Sequence, residues 1–105
     1  MKVKKQQIIR QGEVLLTRIK ALPGNLKAKD NVLAHGEVTG HTHRLDHNSQ
    51  VFTDGKQQYV VVNAVEGSVL QHEEHKALTV PAGVYSVTIQ REYDIVRDEV
   101  RAVRD

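Results

Sequence analysis

"VYSVTIQREYDIV", residues 84–96, decides the fold class, because Tyr85, Val87 and Ile89 alternate with Ser86, Thr88 and Gln90. Side chains two apart on an extended chain share a face, so the first half of this stretch reads as a strand with one apolar and one polar side. Working back along the chain, "SQVFTDGKQQYVVVNAV", residues 49–65, sets Asp54-Gly55 between two β-rich flanks. That is a hairpin signal of the type I′ kind, in which both central residues take positive φ. "GEVLLTRIKAL", "NVLAHGEVTG", "GSVLQHEEH" and "KALTV" are further β-prone runs, separated by "PGN" at 23–25, by Gly40 and by "PAG" at 81–83. Forward of Tyr93 the segment "DIVRDEVRAVRD" repeats Val96, Val100 and Val103 at helical spacing, yet its β-branched residues suit a strand nearly as well. The expectation is an all-β single domain over residues 1–105, a small barrel or sandwich, with a short C-terminal helix as the open alternative.

A chain of 105 residues builds one modest core. With no Trp, one Phe and three Tyr, that core has to come from Val, Leu, Ile and Ala. No cysteine means no disulfide framework and no thiolate metal ligand, so a metal site would have to be made from His, Asp and Glu. No segment approaches the roughly 20 apolar residues of a membrane helix, and the basic start "MKVKKQQIIRQGEV" lacks a signal-peptide core, so a cytoplasmic protein without a membrane partner is expected. A net charge of +2 and a pI near 9.0 suit a small anionic ligand and fall short of the dense Lys/Arg stripe that grips long nucleic acid.

Histidine is where the composition departs from the ordinary. Four of the six histidines, His35, His41, His43 and His47, lie within residues 35–47, and His72 and His75 follow in "HEEH". On an extended segment His35, Glu37, Thr39, His41 and His43 share one parity, and His41 with His43 is the pair least exposed to interruption by Gly36 and Gly40. His72 and His75, three apart, meet on a helical turn or where a strand ends in a bend. His47, between Asp46 and Asn48, reads as a surface turn residue, and Glu73 and Glu74 as solvated acids able to fix a neighbouring imidazole in one tautomer.

Two chemistries use such a cluster. Neutral imidazole binds Zn, Fe or Ni, and His41, His43, His72 and His75 would be the ligands. Imidazole also titrates near neutral pH, so one ring can take a proton from an RNA 2′-OH while another supplies one to the leaving oxygen. Arg44 or Arg91 would then face the phosphate and Tyr93 would donate to it, with His35 and Arg44 as flanking ligand-binding residues. A third possibility is a binding or accessory module with neither metal nor turnover.

"GHTHRL" followed by "PAGVYSV" resembles the cupin-like barrels, which hold a metal on H-x-H. The glutamate that those proteins carry shortly after H-x-H is missing, since the span reads Arg44, Leu45, Asp46 and His47. The blocks "RQGEVLL", "HGEVTGHTHRL", "HEEH", "LTVPAGVYSV" and "QREYD", over Arg10 to Asp94, resemble a family of small bacterial and phage proteins and, through it, the compact β-barrel ring nucleases associated with type III CRISPR systems. That resemblance implies a cofactor-free phosphodiesterase degrading cyclic oligoadenylate, with His41, His43, His72, His75, Arg91 and Tyr93 as the matched site positions. A small cyclic oligonucleotide of even symmetry also suits a homodimer, whose two-fold interface presents each group twice.

Overall fold

The structure, a computed structural model, describes residues 8–35, 40–90, 93–94 and 99–100. Among these residues the fold is all-β, with antiparallel pairing throughout and no helix. One sheet has six strands in the order β1-β2-β10-β7-β6-β3, namely Ile8–Gln11, Val14–Ile19, Gly83–Ile89, Gln58–Val62, Ser49–Thr53 and Lys27–Lys29. The second has four in the order β4-β5-β8-β9, namely Val32–His35, Thr42–Leu45, Ser68–Gln71 and Leu78–Val80. A short pair, β11 (Tyr93–Asp94) and β12 (Glu99–Val100), stands apart, so the described part of the C-terminal segment is strand and not the helical alternative. No helix among the described residues is long and apolar enough to cross a membrane.

The alternation in residues 84–90 is realised as expected. Tyr85 and Val87 are buried, while Thr88 and Gln90 face out. They join Val14, Leu16, Val51, Val60 and Val62 from the six-stranded sheet, and Leu33, Ala34, Leu45, Leu70 and Val80 from the four-stranded one, in a single apolar layer. The two sheets therefore form a sandwich, each covering the apolar face that the other would otherwise leave wet. Tyr85 is the largest side chain in that layer. Its hydroxyl donates to the Pro81 carbonyl (2.7 Å) and accepts from Arg18 Nη2 (3.1 Å), so the ring is buried without stranding its polar tip.

The β6–β7 hairpin forms at the expected place with a different turn. Thr53 pairs with Gln58, and the Asp54 N–H donates to the Gln57 carbonyl, which makes Gly55 and Lys56 the central residues. Only Gly55 has positive φ (99°), the pattern of a type II′ turn rather than I′. Asp54 stays outside the turn because its carboxylate accepts the N–H groups of Lys56 (2.9 Å) and Gln57 (2.8 Å).

Asp46, between β5 and β6, ties the two sheets at one end. Its carboxylate accepts from the Ser68 hydroxyl, from the Val69 N–H (3.1 Å) and from the Asn48 N–H (3.0 Å). The Ser68 hydroxyl, backed by those two N–H groups, holds the carboxyl below the ordinary aspartate range against the opposite pull of partial burial. A folded-state pKa lower than the unfolded one adds stability above the unfolded value, near pH 4, and that contribution is lost as pH falls through the folded value. Urea titrations should therefore show stability declining from about pH 5 downward. Asp46→Asn should be less stable at pH 7 and show a flatter decline; an equally steep one would assign the acid sensitivity elsewhere.

A buried histidine cluster

The site is built where the tip of the β1–β2 hairpin meets the end of the four-stranded sheet. β1 and β2 are joined by Gly12 and Glu13, with Gln11 opposite Val14 and positive φ at Gly12 alone (57°), again the II′ pattern that favours glycine in the first central position. On the other side β5 presents His43, with His41 just before it. β5 pairs with β8 through Arg44 opposite Gln71, which delivers His72 to the same end as the chain leaves β8. The bend over residues 73–75 then returns His75 to the group.

Four imidazoles come together as a result. Ring centroids are 4.2 Å apart for His43 and His72, 4.6 Å for His72 and His75, 5.7 Å for His43 and His75, and 5.5 Å for His41 and His72. His43 is wholly buried and His72 is 8 % exposed, whereas the His41 side chain keeps 28 % of its surface in solvent. One ring nitrogen each from His43, His72 and His75 lie within 4.8 Å of one another, and the same holds for ligand atoms of His41, His72 and Glu73.

Hydrogen bonds fix two of the tautomers. Gln11 Nε2 donates to the carbonyls of Leu70 (2.9 Å) and Lys76 (3.0 Å), contacts that only an N–H can make. Its Oε1 is thereby the atom 2.9 Å from His43 Nδ1, so that nitrogen carries the proton and Nε2 keeps its lone pair. His72 is the reverse. Its Nδ1 accepts the N–H groups of Glu74 (2.9 Å) and His75 (3.3 Å), which leaves the proton of the neutral ring on Nε2. His75 Nε2 is buried without a hydrogen-bond partner among the described residues. Buried polar atoms are rarely left so, and this one lies in a group of nitrogens spaced for a small cation, so the residues present fit a divalent metal.

At the solvent side, Glu73 takes the Thr42 N–H on Oε1 (3.1 Å) and lies 3.5 Å from Arg44 Nη1 through Oε2. Hydrogen bonds from backbone N–H groups, Thr42's among them, lower its pKa below the ordinary glutamate range, with Arg44 adding to the effect. Glu74 Oε2 sits 3.9 Å from His41 Nδ1.

His41, His43, His72 and His75 thus share one site. Arg44 borders it on the exposed face of β5, held by Thr42 Oγ1 (2.8 Å) and Glu73. His35 does not join. The chain reverses between β4 and β5, and His35 pairs with Thr42, the residue between the two site histidines, so it lies on the opposite face and in solvent. Shared parity fails across a reversal because it counts residues along one strand. Arg91 lies outside the described residues, as do Glu37, Thr39 and the side chain of Tyr93. His47 lines a polar hollow of about 320 Å³ with Asn48, Ser49, Gln50, Asn63 and Ala64, none of which belongs to the cluster.

Gln11 and Gly12 are the site residues that the sequence did not announce. A Cβ on Gly12 would stand 2.6 Å from His75 Nε2 and 3.2 Å from His43 Cε1, at a φ that L side chains avoid. The family match covers this whole arrangement, running over residues 10–90 and so from within β1 to just past the end of β10. The chain belongs to the DUF8820 family. That family is described as a domain of unknown function, and no curated protein and no solved structure matches the chain. The DUF8820 span holds all four clustered histidines, Gln11 and Gly12. In this domain Gly12→Ala should cost about 1–3 kcal/mol of stability, read by urea denaturation, because backbone strain and the clash with His75 act together. A neutral outcome would mean that the hairpin tip does not press on the rings.

Proposed function

We propose that this protein is a cupin-like, histidine-rich metal-binding protein that holds one divalent transition-metal ion of the Zn, Fe or Ni class on His43, His72 and His75. The observation that carries the reading is the meeting of His43, His72 and His75, with one ligand nitrogen of each within 4.8 Å of the others, while Gln11 holds the His43 ring by its Nδ1–H. An outer hydrogen bond of this kind is how ligating histidines are usually oriented. An all-imidazole set without thiolate suits these metals. His72 would bind through Nε2 once the ring turns away from the Glu74 and His75 N–H groups and its proton sits on Nδ1 instead. Three protein ligands leave a coordination position open, where a bound ion supplies an acidified water or a Lewis acid.

The test is elemental analysis of the purified protein, followed by removal of metal with a chelator and titration with Zn²⁺ or Co²⁺. About one ion per chain is expected, together with a rise in thermal stability on reloading, since a ligand of the folded state alone stabilises it by mass action. Metal below a tenth of an equivalent with no thermal shift on titration would overturn the proposal.

A second reading is supported by the complementary tautomers. His43 offers a lone pair and His72 an N–H with their rings 4.2 Å apart, as a base and an acid would. In that reading the protein is a cytoplasmic homodimer that cleaves cyclic oligoadenylate without metal, in antiviral signalling of type III CRISPR systems. Burial ranks it second, because a phosphodiester reaches His41 and Arg44 far more readily than the wholly buried His43. Chelated protein incubated with cyclic tetra-adenylate should then release linear fragments ending in 2′,3′-cyclic phosphate. Intact substrate at high protein concentration would remove this reading.

A further inference from the structure

Resting on the metal reading above, we infer that His41 and Glu73 form an outer, transient cation site through which a divalent metal is handed by way of His72 to the buried centre. Two ligand sets lie side by side. The inner one is His43, His72 and His75, and the outer one is His41, His72 and Glu73. They differ in access and in chemistry. The inner set is all nitrogen, with His43 wholly buried, while the outer set mixes imidazole with a carboxylate and has side-chain exposures of 28 % at His41 and 43 % at Glu73. His72 belongs to both, with its ring centroid 4.2 Å from that of His43 on one side and 5.5 Å from that of His41 on the other. A neutral imidazole has a single ligating lone pair, so both sets draw on the same donor of His72, and one ion passing from outer to inner position fits the arrangement better than two resident ions.

The mouth is prepared for a hydrated cation. Glu73 is fixed by the Thr42 N–H, and Glu74 places a second carboxylate beside His41. Oxygen ligands suit a cation still carrying water, and nitrogen ligands suit the same ion once it is dehydrated. Arg44 Nη1 lies 3.5 Å from Glu73 Oε2 and is also held by Thr42 Oγ1 (2.8 Å), at the exposed face of β5. A residue that serves the passage alone lowers the barrier in both directions, so its loss slows loading and release together and leaves the equilibrium where it was.

The experiment follows Co²⁺ binding to metal-free protein by stopped-flow absorption, with affinity measured separately by competition against a chelator. Wild-type protein, His41→Ala and Glu73→Gln are compared, after circular dichroism has shown that each variant is folded. Both variants should load at least about tenfold more slowly, within the range by which charged clefts change association rates. Release should slow in step, with Kd within threefold of wild type and the stoichiometry still one. Unchanged loading rates would overturn the inference. So would a loss of affinity beyond tenfold, which would make His41 and Glu73 ligands of the resting ion, or two tightly bound ions per chain. Wild-type protein that takes up no Co²⁺ would instead overturn the metal reading itself.

Discussion

His43→Ala is expected to leave less than about a tenth of the wild-type metal content and to lower thermal stability by 10 °C or more. Two costs act even without metal. The substitution empties a wholly buried site, at roughly 2–4 kcal/mol for a side chain of that size, and it strips Gln11 Oε1 of its donor, at about 1–3 kcal/mol. A domain of about 100 residues loses roughly 4–8 °C for each kcal/mol. Metal adds a further difference, near 4 kcal/mol when the free ion stands at a thousand times Kd. Calorimetry with and without chelator separates the parts: the wild-type protein should shift between the two conditions and the variant should not. Retained metal in the variant would exclude His43 as a ligand. Under the cleavage reading the same substitution should reduce turnover by about 10²–10⁴-fold, the usual worth of a positioned proton-transfer group.

Gln11→Leu is the second large effect expected. Leucine keeps the apolar bulk and removes all three polar contacts, to Leu70, Lys76 and His43. Several buried partners are stranded at once, so a loss of about 2–4 kcal/mol follows, together with a 10–100-fold weaker metal affinity. Gln11→Glu separates the structural role from the orienting one. A carboxylate still accepts the His43 Nδ1 proton, so affinity should stay within threefold of wild type, while its second oxygen faces the two carbonyls and stability should fall. If Glu and Leu weaken metal binding equally, Gln11 acts only by holding the hairpin tip in place.

What was legible in the chain was local. The alternation from Tyr85 to Gln90, the hairpin around Gly55 and the pairing of His41 with His43 depend on side-chain parity and turn chemistry within a few residues, and a sequence displays those directly. Even there the turn moved one residue forward, because the Asp54 side chain is engaged by the N–H groups of Lys56 and Gln57. The bend at "HEEH" was likewise among the local options, with His72 accepting the N–H groups of the residues that follow it.

Strand neighbours are a different matter. That β8 lies beside β5, bringing His72 and His75 to His43, follows from which apolar faces can cover one another across the whole sandwich. Nothing within either segment encodes it. The same holds for Gln11, which reaches His43 from 32 residues away and Lys76 from 65, and for Gly12, which has no Cβ because the rings of a distant segment stand where it would be. His35 shows the converse, since it matches the parity of His41 and His43 and is carried to the other face by the chain reversal. The sequence by itself determined the all-β character, most of the longer strands though not β1 or β3, and the residues able to bind or move protons. Tertiary structure decided which of them meet, because packing free energy is gained between faces far apart in the chain, whereas parity is a property of one strand alone.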